Sequence, residues 1–272
     1  MRTKTYSTEE IQRRTELLKR HAYKRWLVRK QPTKWVLSFS GGKDSTAMLH
    51  VILREKLPLD EVIIYDSGWE FPELNAHIRL VEQKTGVSIR RITPDVPWAE
   101  QLKRWGWPHW NLRWCTKDKG RALDKNTCGK GKYIGLAADE SGRAEKYKAN
   151  ANQVQNVRFP LIDASVTSAQ AMQMCRELGY TWGGLYDFLP RFSCWCCPLM
   201  RWSDLCTIMA HRPRIYDRIV AMHAGLPAER RARGWKQGRP PEWILSSDWR
   251  AARARSKSHY QQDSRMACMC NR

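Results

Sequence analysis

The stretch WVLSFSGGKDSTAMLHVIL, which runs from Trp35 to Leu53, constrains the fold more than any other part of this chain. Apolar residues lead into two adjacent glycines, and a stretch without Gly or Pro then repeats apolar side chains at helical spacing. The pattern predicts a strand over Trp35–Phe39, a tight turn, and a helix from Ser45 to Lys56.

The segments that follow repeat this alternation of strand and helix. A second strand is predicted to end at Tyr65 and Asp66, and a helix over Pro72–Thr85 is predicted to end at the C-cap residue Gly86. VSIRRITP predicts a third strand, and KYIGLAADE predicts a fourth that ends at Asp139. We therefore expect an α/β fold, a doubly wound and mostly parallel sheet of Rossmann-like type, with ligands at the carboxyl ends of its strands.

Three regions are expected along the 272 residues. The first, residues 1–34, contains a basic helix that spans Thr8 to Lys30. The second is an α/β domain over 35–190, and the third is a mainly helical region over 191–272 that is rich in Cys, Trp and Arg. No apolar run is long enough to span a bilayer, and the N-terminus lacks the apolar middle of a signal peptide. We expect a cytoplasmic protein that does not act at a membrane.

The net charge of +21, from 48 Lys and Arg against 27 Asp and Glu, predicts a positive potential over much of the surface. Basic residues concentrate in Thr8–Lys30 and in the C-terminal stretch, where Trp235, Trp243 and Trp249 are interleaved with them. This pattern suits a nucleic acid with exposed bases. The alternative is a tryptophan-rich core beneath a solvated charged face.

The glycine turn has the chemistry of an anion site. Backbone N–H groups at Gly41 and Gly42 can converge on an anion, the helix beginning near Ser45 directs its positive dipole end there, and Lys43 adds a full charge. Hydroxyl donors come from Ser38, Ser40 and Ser45. The spacing differs from the GxxxxGK[ST] loop, which excludes an ordinary P-loop NTPase.

Several ordered motifs carry a family resemblance. SFSGGKDST resembles the pyrophosphate loop of the N-type ATP pyrophosphatases (adenine nucleotide α-hydrolases), and later segments resemble their phosphoadenosine-phosphosulfate (PAPS) reductase branch. These segments are YDSGWEFPE (Tyr65–Glu73, with Ser67 in place of the branch's threonine), LRWCTKDKG (Leu112–Gly120), GLAADESGR (Gly135–Arg143), FPLID (Phe159–Asp163) and RFSCWCCPL (Arg191–Leu199). The resemblance covers about Lys34 to Met200 and implies the α-hydrolase fold over 35–190.

The chemistry that this resemblance implies is attack on the α-phosphate of ATP, loss of pyrophosphate, and displacement at the adenylated atom, often by sulfur. The implied catalytic residues are Lys43, Asp66, Arg113, Cys115, Asp139 and Arg143. The implied ATP-binding residues are Ser38, Ser40, Gly41, Gly42, Lys43, Asp44, Ser45, Asp66, Gly68, Ser141 and Arg143. Asp44 and Asp66 are candidate Mg²⁺ ligands, and Asp139 with Glu140 could bind metal or orient a nucleophile. For each acidic residue, a helix cap or surface charge is the alternative.

The nine cysteines favour metal, cluster or catalytic use over structural disulfides in a cytoplasmic chain. RFSCWCCPL resembles the Cys-x-x-Cys-Pro of members that carry an iron–sulfur cluster. That implies a 4Fe-4S centre, with Zn²⁺ as the alternative, held by Cys115, Cys194, Cys197 and Cys206, with Cys196 as a substitute ligand. Cys115 could be catalytic instead, and buried apolar roles suit Cys128 and Cys175. The C-terminal Cys268 and Cys270 could carry sulfur or be incidental.

Three functions remain open. The first is an ATP pyrophosphatase that activates DNA or tRNA for sulfur transfer, with a sulfur donor such as a cysteine desulfurase as partner and with a homodimer considered. The second is a sulfonucleotide reductase, which the middle motifs favour. The intact SGGKDS loop and the missing Glu-Cys-Gly-x-His segment argue against it. The third is a nucleic-acid-binding partner whose nucleotide site serves only as a sensor.

Overall fold

The computed structural model describes residues 34–149 and 156–248. Its strands form one five-stranded sheet in the spatial order β3-β2-β1-β4-β5, and every strand pairing is parallel. The strands are β1 (Trp35–Phe39), β2 (Glu61–Tyr65), β3 (Ile89–Ile92), β4 (Gly131–Tyr133) and β5 (Val157–Arg158). The strand order reverses between β1 and β4, which confirms the predicted doubly wound α/β fold and marks the crevice where such folds bind ligands.

The α-helices in these described ranges lie mainly between the strands and after β5. They are α1 (Lys43–Arg54), α2 (Pro72–Thr85), α3 (Trp98–Trp105), α4 (Trp114–Thr127), α5 (Ser141–Ala149), α6 (Pro160–Asp163), α7 (Ser168–Glu177), α8 (Leu185–Phe188), α9 (Trp202–His211), α10 (Pro213–Ala224) and α11 (Ala228–Arg231). Short 3₁₀ turns cover Ala138–Glu140, Trp182–Gly184 and Pro241–Leu245. None of the described helices is both long and apolar enough to cross a membrane.

Local sequence accounts for the limits of the first two helices. The predicted span of α2 is confirmed at both ends, and Gly86 ends it with φ +68°, a left-handed conformation that glycine adopts without strain. Helix α1 begins at Lys43 rather than Ser45, because Gly42 takes the extended N-cap conformation. It ends at Arg54, before Lys56 turns left-handed at φ 50°.

The fourth strand is shorter than the sequence predicts, and the expectation that it reaches Asp139 is wrong. Strand β4 ends at Tyr133, and Asp139 lies in the following 3₁₀ turn. The backbone of Gly135 packs against the first turn of α1, where an added Cβ would lie 3.6 Å from Ser45 Cα. This close approach turns the chain over the start of α1 and carries Asp139 towards the glycine loop.

One hydrophobic core extends from the sheet into the region after residue 190. It includes Val36 and Ile63 of the sheet, Leu205 of α9, Ile219 of α10 and Ile244 near the C-terminal end of the described chain. The domain limits at residues 34 and 190 stay predictions. The N-terminal basic helix and the pair Cys268 and Cys270 lie outside the described residues.

The described C-terminal tryptophans belong to this packing rather than to an exposed stacking surface. Trp235 is 2% exposed, and the half-buried Trp243 packs on Trp202 with ring centroids 4.9 Å apart. The alternative of a tryptophan core beneath charged residues is therefore correct for Trp235 and Trp243. Trp249 lies outside the described residues.

Candidate functional site

The glycine loop follows β1 at the point where the strand order reverses. Gly41 has φ +74°, and a Cβ added there would lie 2.2 Å from Leu74 Cδ1 of α2. The indole N–H of Trp182 donates to the Gly41 carbonyl at 2.7 Å. Both the conformation and the close packing require glycine at this position.

Hydroxyl groups organise the first turn of α1. Ser40 donates to Ser45 Oγ from its backbone N–H at 3.2 Å and from its own hydroxyl at 3.0 Å. The Lys43 backbone N–H donates to the hydroxyl of Tyr186 at 3.0 Å. Ser38 lies within β1, opposite Ile63 of β2. The helix start therefore offers N–H groups and hydroxyls together, as anion sites at helix N-termini do.

The Lys43 ammonium is held in a network that reaches across the crevice. Its Nζ lies 2.6 Å from Asp44 Oδ1 and also donates to Ser168 Oγ at the start of α7. The Ser168 backbone N–H in turn donates to Asp139 Oδ1 at 2.9 Å. The structure thus brings two residues predicted from separate motifs, Lys43 and Asp139, into one chain of contacts. Because the Lys43 side chain is only 15% exposed, its charge acts in a weakly screened place.

Asp66 lies at the carboxyl end of β2, where the sequence predicts it. Its Oδ2 accepts from Arg91 Nη1 at 2.6 Å, and its Oδ1 accepts from the Gly68 backbone N–H at 3.1 Å. Arg91 also donates to Asn75 Oδ1 at 2.7 Å. The carboxylate is therefore positioned by a guanidinium that no motif identified.

The loop after β4 places the remaining predicted polar residues near the surface. Arg143 forms an ion pair with Glu140, and 68% of the Arg143 side chain is exposed. Ser141 is exposed at the first position of α5. Arg143 can therefore move without disrupting buried contacts.

The chemistry of the acidic residues limits what Mg²⁺ site is available. In the described ranges, no group of three or more His, Cys, Asp or Glu side chains is arranged to hold a metal ion. Mg²⁺ commonly uses one or two carboxylates and completes its shell with substrate phosphates and water. Asp44, at the loop and 31% exposed, is paired with Lys43, and Asp66 is paired with Arg91. Either carboxylate would join such a site only by sharing or giving up its ion pair.

A cavity of about 280 Å³ lies beside the cysteine-rich segment. Its lining includes Cys194, Cys197 and the exposed Arg113, which is the N-cap residue of α4. Cys115 follows in the first turn of α4 and is half-buried. Cys115, Cys194 and Cys197 are close enough to act on one another electrostatically. The structure therefore gathers three of the four predicted metal-binding thiols.

Burial favours the neutral form of the Cys115 and Cys194 thiols in the absence of a metal. It raises the pKa of Cys115, and it raises the pKa of Cys194 with a further contribution from the nearby carboxylate of Glu70. Burial likewise raises the pKa of Glu70 itself. Cys196, the substitute ligand, is completely buried, and its pKa is also raised. A thiol in this state is a weak nucleophile, since the thiolate is the reactive form.

The fourth predicted ligand, Cys206, has a different environment. It lies on α9, and its charge would act on Tyr216 of α10. Across the described chain, no set of thiols and acidic groups stands at metal-ligand spacing. The four predicted thiols are therefore not arranged as a preformed 4Fe-4S or Zn²⁺ centre in the described residues.

An aromatic pair connects the two parts of the site. Tyr186, whose hydroxyl accepts from Lys43, packs on Phe192 with ring centroids 4.9 Å apart. Phe192 in turn lines the cysteine cavity. The glycine loop and the cysteine cavity are therefore neighbours separated by one layer of aromatic side chains.

Sequence reasoning missed the residues that reach the site over long chain separations. These are Arg91, Ser168, Trp182 and Tyr186. Arg91 had a usable signal, because it lies near the carboxyl end of a strand adjacent to β2. The other three follow no motif, and only the packing of the segments after α6 brings them to the loop.

Comparison with known families identifies the family of this chain. Residues 34–205 match the model of the phosphoadenosine phosphosulfate reductase domain. The chain belongs to this family. The match covers more than half of the chain and includes the glycine loop, Asp66, Asp139 and the cysteine cavity.

Relatives of this PAPS reductase family member include an uncharacterized protein of Methanocaldococcus jannaschii, 25% identical over 194 residues, and a phosphoadenosine 5'-phosphosulfate reductase of Thiocapsa roseopersicina, 32% identical over 92 residues. These alignments cover 67% and 34% of this chain, and 40% and 38% of the two relatives. The chain therefore spans about two fifths of the length of each relative.

Two solved structures are similar at lower identity. A PAPS reductase from Candida auris in a phosphate complex has a TM-score of 0.42 at 17% identity, covering 71% of this chain and 97% of that one. The U34-tRNA thiolase NcsA from Methanococcus maripaludis, with its [4Fe-4S] cluster, has a TM-score of 0.39 at 13% identity, covering 72% and 73%.

Proposed function

We propose that this PAPS reductase family member is an ATP pyrophosphatase, which cleaves ATP to AMP and pyrophosphate to activate a nucleic acid, DNA or tRNA, for sulfur transfer. The observation that supports it most is the complete anion site after β1. Left-handed Gly41, the N-terminus of α1 and the Lys43 ammonium meet there. Such a site suits a pyrophosphate group, which ATP carries and releases.

The proposed reaction has two steps. A substrate oxygen attacks the α-phosphorus, the bond to the oxygen that bridges the α- and β-phosphorus breaks, and pyrophosphate leaves with that bridging oxygen. A sulfur nucleophile then attacks the substrate atom that bears the adenylated oxygen, and AMP leaves with that oxygen. A sulfur-donating enzyme such as a cysteine desulfurase would supply the sulfur, and a homodimer is part of the proposal.

The residues of the loop have defined roles in the first step. N–H groups at the start of α1 and the Lys43 ammonium stabilise the negative charge that builds on the departing pyrophosphate. Asp139 holds Ser168, and Ser168 positions the Lys43 ammonium. Arg113 and Arg143, both exposed, are the proposed further cations for the phosphate oxygens. Mg²⁺ bound with ATP would neutralise phosphate charge, with Asp44 and Asp66 as the proposed protein ligands.

Sulfonucleotide reduction is the second candidate, favoured by the family match and by the Thiocapsa roseopersicina relative. That reaction needs a thiolate to attack the sulfur of PAPS, which releases adenosine 3',5'-bisphosphate. The thiols of Cys115 and Cys194 have raised pKa values, which disfavours them as that nucleophile. The complete pyrophosphate loop favours the first candidate.

The test is anaerobic incubation with Mg²⁺ and ATP labelled at the α-phosphate, alone and with DNA or tRNA, followed by separation of AMP and ADP. We expect AMP and pyrophosphate in the presence of one nucleic acid. Lys43→Ala should lower the rate at least 100-fold, on the order of the effect of removing one oxyanion donor. Lys103→Ala is the matched control, because Lys103 is an exposed lysine on α3.

Two outcomes would contradict the proposal, and a third would contradict the role of Lys43. ADP as the sole adenine product would indicate cleavage at the γ-phosphate. Absence of AMP under every condition, together with tight binding of PAPS and release of sulfite, would support the reductase. Equal rates for Lys43→Ala and wild type would remove Lys43 from the reaction.

A further inference from the structure

One large apolar side chain stands out on the surface. Trp110 is 75% exposed, and no other large apolar side chain that the structure describes is as exposed. It lies at the tip of a tight turn, in which His109 and Leu112 exchange backbone hydrogen bonds of 3.2 and 3.0 Å. We call residues 107–112 the Trp110 turn. The turn holds the indole in solvent, where its face is open to a partner.

A run of basic residues lies beside this turn. Residues 230–239, here called the basic segment, contain five basic residues and no acidic one: Arg230, Arg231, Arg233, Lys236 and Arg239. None of the five takes part in the ion pairs that the structure describes for residues 34–149 and 156–248. The charge of the exposed Arg231, Arg233 and Arg239 is therefore available to an anionic partner.

The Trp110 turn and the basic segment are in contact. Trp107 and His109 on one side, and Arg233 and Gln237 on the other, line a cavity of about 420 Å³. The basic segment is a closed loop, because Trp235 N–H donates to the Arg239 carbonyl at 2.8 Å. The turn that carries Trp110 and the loop that carries these cations therefore flank one cavity.

This surface adjoins the candidate site. Lys236 Nζ donates to the carbonyls of Pro198 and Met200 at 3.0 and 2.7 Å, which fixes the basic segment to the cysteine-rich segment. On the other side, the Trp110 turn leads directly into Arg113, which lines the cysteine cavity. A chain bound on this surface would lie next to that cavity.

We propose that the Trp110 turn and the basic segment dock a single-stranded nucleic acid. One base stacks on Trp110, and neighbouring phosphates lie against the exposed Arg231 and Arg233. A duplex keeps its bases stacked on one another, so it offers no face to this indole. The surface deepens the proposed function, on which it rests for the identity of the substrate.

The test measures fluorescence anisotropy of a labelled oligonucleotide, single-stranded or as a duplex, over a range of salt concentrations. We expect Trp110→Ala to weaken single-strand binding by about tenfold without changing the salt dependence, and Trp110→Phe to restore most of the affinity. Arg233→Glu should weaken binding and lower the slope of log affinity against log salt by about 0.7 per lost phosphate contact.

Matched controls change similar groups elsewhere. Leu178→Ala removes a large apolar side chain that is 39% exposed after α7, and Arg79→Glu makes the same charge change on the exposed side of α2. The Trp110 and Arg233 variants alter exposed side chains, and thermal unfolding checks that they fold. Binding unchanged in Trp110→Ala, the same loss in Leu178→Ala, or equal Trp110 dependence with duplex would overturn the proposal.

The two proposals fail in different ways. If wild type forms AMP and pyrophosphate on a nucleic acid and Trp110→Ala does so equally well, the docking surface is wrong and the proposed function stands. If wild type forms neither product but binds single strands through Trp110, the docking surface stands and the proposed function fails. Binding of ATP alone should be equal in wild type and Trp110→Ala.

Discussion

The glycine loop and the cysteine-rich segment are adjacent in space but differ in where their side-chain contacts come from. In the loop, contacts within five positions, such as Ser40 with Ser45 and Lys43 with Asp44, combine with distant ones from Trp182 and Tyr186. In the cysteine-rich segment, the backbone accepts the indole N–H of the distant Trp235 at Cys196, and Trp195 N–H donates to the Trp69 carbonyl. A motif identifies the residues of both segments, but it does not identify the distant partners that hold them.

The largest expected effect that tests this comparison is on the metal content of cysteine variants. The sequence predicts four thiol ligands, and in the structure Cys115, Cys194 and Cys197 are close enough to act on one another electrostatically. We expect Cys194→Ser and Cys197→Ser to lose all iron or zinc that the anaerobically purified wild type carries. Metal per chain is measured by mass spectrometry.

The control for this experiment is Cys128→Ser, which changes an exposed thiol. Equal metal loss in Cys206→Ser would identify Cys206 as the fourth ligand. A wild-type chain without metal would contradict the prediction made from the sequence.

Gly41→Ala tests whether the loop depends on local conformation. The residue has φ +74°, and the new Cβ would overlap Leu74, so we expect a loss of about 2–4 kcal/mol in the free energy of unfolding and loss of ATP binding. Gly86→Ala is the matched control, because φ is +68° there and no atom lies within 4 Å of the added Cβ.

Gly86→Ala should lower the free energy of unfolding only by the cost of placing alanine in a left-handed conformation, about 1 kcal/mol. Urea unfolding and calorimetric ATP titration measure both variants. Equal destabilisation in the two would mean that Leu74 moves aside freely, and that close packing does not define the loop.

A smaller effect, dependent on pH, concerns the packing beneath the loop. His77 Nε2 lies 3.0 Å from Thr46 Oγ1, and the His77 ring stacks on Trp182 at 4.7 Å. Burial lowers the pKa of His77 from 6.5 to about 4. The folded state therefore requires a neutral ring, and this contribution to stability is complete above pH 6.5 and is lost as the pH falls towards 4.

The full pKa difference corresponds to an upper bound on the order of 3 kcal/mol. His77→Gln should therefore lose less stability than wild type between pH 7 and pH 4.5, as measured by urea unfolding at each pH. If the two proteins lose the same stability as the pH falls, groups other than His77 cause the acid sensitivity. His223→Gln is the control near the C-terminal helices, where burial also lowers the histidine pKa.

The sequence predicted the sheet and the loop because both follow local rules. Apolar strands, the paired glycines and the C-cap at Gly86 each specify a conformation within a few residues. The family match to residues 34–205 covers the same motifs. The prediction that β4 extends to Asp139 was wrong, because the end of β4 depends on Gly135 packing against α1.

The sequence by itself therefore determined the α/β fold, the glycine loop and the types of residue available to the site. Only the tertiary structure decided that Ser168 and Tyr186 contact Lys43, that Arg91 pairs with Asp66, and that Trp110 rather than Trp235 is exposed. The physical reason is chain separation. These contacts join segments that follow no common motif, and packing of the whole core brings them together.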